Sequence, residues 1–157
     1  MSKGLVSIQT HDFDIKAESD QLRIEADNAG ALVTFTGLVR EFHQEQNQRG
    51  KVKELFLEHY PGMTEKCLQD IADEAAKRWD ISCCRVIHRV GSLKPGDQIV
   101  FVGTTSTHRA AAFEAAEFIM DYLKTKAPFW KRQTDESGSR WIGQCDSDEV
   151  AAQRWKR

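Results

Sequence analysis

The chain lacks the features that would assign its chemistry to a metal, a nucleotide or a membrane. Its four cysteines, Cys67, Cys83, Cys84 and Cys145, form no Cys-x-x-Cys and no Cys/His pair at zinc-finger spacing. Cys83 and Cys84 are adjacent, and neighbours on a strand point to opposite faces, so they are badly placed to ligate one metal. Reduced thiols in a reducing compartment are expected, with no metal site and no resident cofactor. There is no P-loop, no Gly-x-Gly-x-x-Gly and no Ser/His/Asp arrangement. The opening MSKGLVSIQTHDFD lacks the apolar stretch of a signal peptide, and no apolar run approaches a membrane span. Charge is nearly balanced, with 22 Lys and Arg against 24 Asp and Glu. That balance argues against bulk attraction to nucleic acid or a membrane surface, and a cytoplasmic location is expected. Repeats and low-complexity linkers are absent. At 157 residues with 40% apolar content, a single domain over 1–157 with a substantial core is expected.

What is present reads as interspersed helices and strands. Leu5–Gln9 is a short strand, and Asp14–Asp27 a modest helix closed by Asn28-Ala29-Gly30. Ala31–Val39 and Val52–His59 are strands, the first rich in β-branched residues. Between them, Glu41–Lys51 is polar and Gln-rich, so 41–51 is expected to be a mobile loop. Pro61-Gly62 turns into a helix whose Met63, Cys67, Leu68, Ile71, Ala72, Ala75 and Trp79 make one apolar stripe. Cys84–Val90 and Gln98–Ser106 read as a hairpin across the turn Lys94-Pro95-Gly96-Asp97, the second strand buried on both faces. A helix from about His108 to Lys124 is stopped by Pro128. Short strands at Phe129–Gln133 and Arg140–Ile142 flank a turn at Ser137-Gly138, and a last helix lies near Ser147–Trp155. Helices mixed with hairpins point to an α+β fold.

Positive charge is concentrated in one place. Asp121–Arg132 reads DYLKTKAPFWKR, gathering Lys124, Lys126, Lys131 and Arg132 around Pro128 with no carboxylate until Asp135. Just upstream, Ser106-Thr107-His108-Arg109 opens the preceding helix. Ser and Thr cap helices well, and a first turn offers unpaired N–H groups and partial positive charge. With His and Arg beside it, this is a seat for phosphate or carboxylate. The alternative is an ordinary capped helix with two surface cations. Together the two segments read as an anion pocket with lysines at its back wall.

Lys124 shares a narrow polar stripe with Glu114, Glu117 and Asp121 on an otherwise apolar helix. Two readings stay open. The stripe is solvated and Lys124 pairs with Asp121 at i,i+3, or the stripe lines a cleft where a lysine of lowered pKa acts as base or nucleophile. Lys131 faces the same choice. It shares a strand face with Phe129 and Gln133, while Trp130 and Arg132 point the other way. Lys126 and Arg132 read as surface charges. Arg40 ends TFTGLVR, where Gly37 leaves room for another backbone or a ligand, though a surface arginine fits equally well. His88, on a face with Val86 and Val90, reads as a satisfied core residue. His59, before Tyr60-Pro61, reads as fixing a turn.

Five blocks carry a resemblance. TFTGLVR (34–40), LEHYPGMTEK (57–66), VIHRVGSLKPGD (86–97), IVFVGTTSTHR (99–109) and FIMDYLKTKAPFWKR (118–132) resemble the family of molybdopterin synthase large, catalytic subunits. The resemblance implies an α/β hammerhead with an additional antiparallel β subdomain. It implies a homodimer that binds, at each end, one small ubiquitin-like subunit ending in a Gly-Gly thiocarboxylate, giving a heterotetramer. The implied reaction moves sulfur onto cyclic pyranopterin monophosphate in two additions, building the molybdopterin dithiolene. Matched block by block, Lys124 and Lys131 are the implied catalytic residues. Arg40, His108 and Arg109 are the implied substrate-binding residues, the His-Arg pair reaching the pocket from the dimer partner.

Without the resemblance, the residues support two further classes. One is a non-catalytic module for a phosphorylated ligand. The other is an RNA binder stacking bases on Phe129 and Trp130, which the acidic balance and the shortness of the patch disfavour.

Overall fold

A computed structural model describes residues 4–45, 48–142 and 146–156. The elements in chain order are β1 (Gly4–Gln9), α1 (Ile15–Glu25), β2 (Ala31–Leu38), β3 (Phe42–Glu45), β4 (Gln48–His59), α2 (Met63–Arg78) and β5 (Ile81–Arg89). Then follow β6 (Gly91–Leu93), β7 (Gln98–Ser106), α3 (Arg109–Lys126), β8 (Phe129–Asp135), β9 (Gly138–Ile142) and α4 (Asp146–Gln153).

Two sheets divide the work. The first has the order β1-β5-β7-β2, with β1 parallel to β5 and the other neighbours antiparallel. Strand alternation sends Cys84, Val86, Val100 and Val102 to one face, where α2 and α3 pack with Leu68, Ala72, Ala115, Phe118 and Ile119. The opposite face presents Cys83, Ile87 and Phe101 to Leu22 of α1. The two adjacent cysteines therefore do point apart. β7 is buried from Val100 to Ser106, as its unbroken apolar run predicts.

The second sheet is wholly antiparallel and is the additional β unit. Long β4 pairs with β3 at its start and lies between β6 and β8 further on, with β9 outside β8. Its inner face buries Val52, Leu55, Leu57 and Leu93 against Val39 and Val90, and Ile8, Ile99 and Phe129 join this core to the first. The result is the α+β arrangement expected.

Three local readings change. The segment 41–51 is not a loop: Phe42–Glu45 pairs with Gln48–Lys51 as a hairpin, residues 46 and 47 lying outside the described set. Main-chain pairing carries the strand signal of Val52–His59 backwards, and such a ladder needs no apolar alternation. α1 ends at Glu25 with Ala26 as C-cap. The left-handed residue is Asn28 (φ 51), beyond the cap. The room at Gly37 is taken by the fold itself, since a Cβ there would sit 2.7 Å from Val100 Cγ1 of the paired strand. Cys145 lies outside the described residues. No helix among those described is long and apolar enough to cross a membrane.

Candidate active site

The lysines converge at the corner between α3 and β8. Lys124 leaves the last turns of α3, and Lys131 projects from the inner face of β8, in register with Leu57 of β4. Both are half-buried. Lys131 is close enough for its charge to act on Lys124.

The electrostatics follow from this placement. Burial is the largest influence on Lys124, and the nearby Lys131 and then Arg40 add to it. Asp148 of α4 acts in the opposite sense, and the net effect lowers Lys124 to about 8. Arg40 therefore belongs to the same constellation, although its side chain is exposed. It is aimed by its neighbour. Val39 is buried, with its N–H donating to Asp97 O at 2.9 Å and its carbonyl accepting from Gly96 N–H at 2.9 Å.

The floor of the site is a histidine. His88 is 2% exposed, as a core residue should be, and its ring stacks on Phe129 at 3.9 Å and 18°. Its Nδ1 lies 2.8 Å from Arg89 O. A carbonyl only accepts, so Nδ1 carries the hydrogen in the neutral ring. Burial drives the ring down to about 3, with the charges of Lys124, Lys131 and His59 pushing the same way. His88 is thus neutral at the foot of a cationic cluster. Sequence reasoning placed it in the core but not beside the lysines. The signal was a polar ring on the apolar face of VIHRV. Asp148 had no signal, because only tertiary packing brings α4 to α3.

The polar stripe of α3 is resolved by its partners. Glu114 accepts from the Trp79 indole at 2.6 Å. Asp121 accepts from Arg154 at 2.8 Å and from the Trp155 indole at 2.6 Å, and Glu117 also receives Arg154. Three of the four polar positions therefore fasten neighbouring segments to α3. Of the two readings, the Lys124–Asp121 pair gives way: Asp121 is engaged by Arg154 and Trp155, and Lys124 lies within reach of the Lys131 charge. Arg132 also departs from its reading as a plain surface charge: its guanidinium lies 4.8 Å from the Phe56 ring centre and 5.8 Å from that of Trp141.

His108 and Arg109 do not join the lysines within one chain. They open α3, about 22 Å along the axis from Lys124 at 1.5 Å per residue. Both are exposed. His108 itself is the N-cap and makes no side-chain cap, while Ser106 Oγ donates to Asp80 O at 2.8 Å and receives His108 N–H at 3.4 Å. The Ser-Thr cap is therefore shifted, and within one chain the His-Arg pair and the lysines lie at opposite ends of one helix instead of in a single pocket. A separate cavity of about 370 Å³ beneath α1, lined by Leu5, Glu18, Leu22 and Arg85, includes none of these residues.

Comparison with known proteins assigns the family. The family described as MoaE protein matches residues 8–126, a span that includes Arg40, His108, Arg109 and Lys124. A molybdopterin synthase catalytic subunit of Escherichia coli (strain K12) is 58% identical over 155 residues, 99% of this chain and 100% of that protein. Among solved structures, a molybdopterin biosynthesis MoaE protein from Burkholderia ambifaria superposes with a TM-score of 0.82 at 47% identity, covering 98% of this chain and 99% of that one. Molybdopterin synthase from Staphylococcus aureus gives a TM-score of 0.76 at 31% identity, covering 87% and 95%. This chain belongs to the MoaE protein family.

Proposed function

We propose that this chain is the catalytic subunit of a molybdopterin synthase, moving sulfur from the C-terminal thiocarboxylate of a small ubiquitin-like subunit onto cyclic pyranopterin monophosphate. The observation that carries the reading is the lysine pair, both half-buried at the α3–β8 corner, with Lys131 and Arg40 acting on Lys124. Fixed positive charge of this kind stabilises an oxyanion as it forms on a carbonyl. With Lys124 lowered to about 8, roughly a tenth of it is amine at neutral pH, enough to accept and return a proton. Lys131 polarises the thiocarboxylate carbonyl. Arg40 holds substrate phosphate. Two sulfurs require two loaded small subunits in turn.

His108 and Arg109 enter through a second copy of the chain. In a two-fold dimer, the α3 N-terminus of one protomer completes the lysine half-site of the other. The two cations oppose the helix dipole at their own terminus, which favours a role in binding an external anion. The hairpin β3–β4 begins two residues beyond Arg40 and is placed to close over bound substrate.

The test is reconstitution with a thiocarboxylated small subunit and cyclic pyranopterin monophosphate, assaying dithiolene product. Wild type should form product and Lys131→Ala very little. Equal product from both would remove Lys131 from the mechanism. No product from wild type despite demonstrated binding would favour a non-catalytic phosphate-binding module.

A further inference from the structure

Among the described residues, the hydrogen bond within the lysine corner itself is one short turn, Phe129 N–H to Ala127 O at 3.0 Å. Pro128 has no N–H to give. The helix has ended, with Ala127 extended at φ −82 and ψ 133. Lys124 and Lys131 lie on either side of this corner, so the distance between their amino groups depends on how Pro128 is fixed.

The first turn of α2 fixes it. Thr64 is fully buried at 0% exposure. Its Oγ1 accepts the Tyr60 N–H at 2.8 Å and donates to Pro128 O at 3.0 Å. The hydroxyl thereby joins the β4–α2 junction to the midpoint of the corner and satisfies a carbonyl that has no ladder partner there, since the β4–β8 register ends at His59 and Phe129. The next residue adds a second strut. Glu65 Oε2 receives Gly62 N–H at 3.1 Å, which holds the carboxylate at the helix end. Its other oxygen is buried without a hydrogen-bond partner and lies 3.6 Å from His59 Nε2. His59 sits opposite Phe129, the ring that stacks on His88.

We propose that Thr64 is a positioning residue for the lysine pair, its hydroxyl setting the α3–β8 corner so that Lys124 and Lys131 meet, with the Glu65–His59 contact as an auxiliary strut. The inference rests on the functional reading above for its consequence in turnover, but not for its geometry. The groups that face the pair are Arg40, His88 and His59, and Asp148 from α4; Thr64 carries no charge and acts only through distance.

The experiment compares Thr64→Val, which keeps shape and loses the hydroxyl, with Thr64→Ser, which keeps the hydroxyl. Two readouts are taken on each purified chain. One is turnover with the thiocarboxylated small subunit and cyclic pyranopterin monophosphate. The other is the titration midpoint of Lys124, followed by NMR of its side chain, which needs no activity. Thr64→Val should lower kcat by about 10- to 100-fold with KM little changed. It should also move the Lys124 midpoint upward from about 8, because Lys131 recedes. Thr64→Ser should match wild type in both. Glu65→Ala, on the more exposed side of the helix end, should shift both readouts in the same direction by less, and keeps the test open if Thr64→Val fails to fold. An unchanged midpoint in Thr64→Val, or in Glu65→Ala where Thr64→Val cannot be purified, would overturn the proposal. Equal impairment of Thr64→Ser and Thr64→Val would overturn it too. Loss of wild-type turnover with the midpoint pattern intact would count against the functional reading alone.

Discussion

The two ends of α3 carry cations in opposite circumstances. At the C-terminal end Lys124 is half-buried, lies near Lys131 and is lowered to about 8. At the N-terminal end His108 and Arg109 are exposed and make no cap. Burial and crowding turn a lysine into a proton-transfer group, whereas exposure leaves a cation fit only to bind something that arrives. The C-terminal end is built like the interior of a reaction site, and the N-terminal end like a surface meant to be covered. One helix bearing both halves, about 22 Å apart, makes sense if each copy completes the other.

The largest effect should come from deleting the buried end. Lys124→Ala should reduce turnover by roughly 100- to 1,000-fold in a reconstituted sulfur-transfer assay, the usual scale for removing one charge-stabilising donor. Retention of full turnover would remove Lys124 from the chemistry. A second effect concerns the neutral histidine beneath the lysines. His88 titrates near 3 when folded and near 6.5 when free. Between those values the unfolded chain binds a proton that the folded chain refuses, so stability is complete above about 6.5 and falls as pH drops towards 3. The slope contributed is about 1.4 kcal/mol per pH unit. Urea unfolding at pH 7 and pH 5 should show it, and His88→Phe should flatten it.

A smaller effect concerns the stability cost of Lys124. Lys124 binds its proton less tightly folded than unfolded, so its contribution to stability rises as pH climbs from about 8 to 10.5. Below 8 the full penalty is present. Lys124→Met should therefore raise stability at pH 7 by about 1–3 kcal/mol while losing activity, measured by denaturant unfolding. An inert melt would mean the site holds no such strain. The smallest effect sharpens the role of α4. Asp148→Asn removes a carboxylate that supports the charged form of Lys124, and should move the Lys124 midpoint below its present value of about 8.

The sequence made most of the fold readable because its signals are local. The stripe from Met63 to Trp79 and the apolar run IVFVG each dictate an element by their period. The hairpin at 42–51 was missed because its strands are specified by main-chain pairing with no apolar alternation. Lys131 was placed correctly on a face with Phe129 and Gln133, since period two settles that. Whether Lys124 was solvated could not be read, because the answer depends on Arg154 and Trp155 occupying Asp121 from a distant segment. Likewise no local rule connects Thr64 to Pro128 across 64 residues. The anion seat and the lysines, which the residues read as one pocket, lie apart within one chain because His108 and Lys124 sit fifteen helical positions and more apart along a rigid rod; only the resemblance implied a partner's contribution.

The most direct test of that division mixes two crippled chains. Lys124→Ala and His108→Ala protomers, each nearly inactive alone, are combined under conditions that exchange subunits and then assayed with the thiocarboxylated small subunit. Mixed dimers should contain one site with both defects and one site with neither, so turnover should recover to about a quarter of wild type after random reassortment. No recovery, with exchange demonstrated by mass, would contradict a site assembled from two copies.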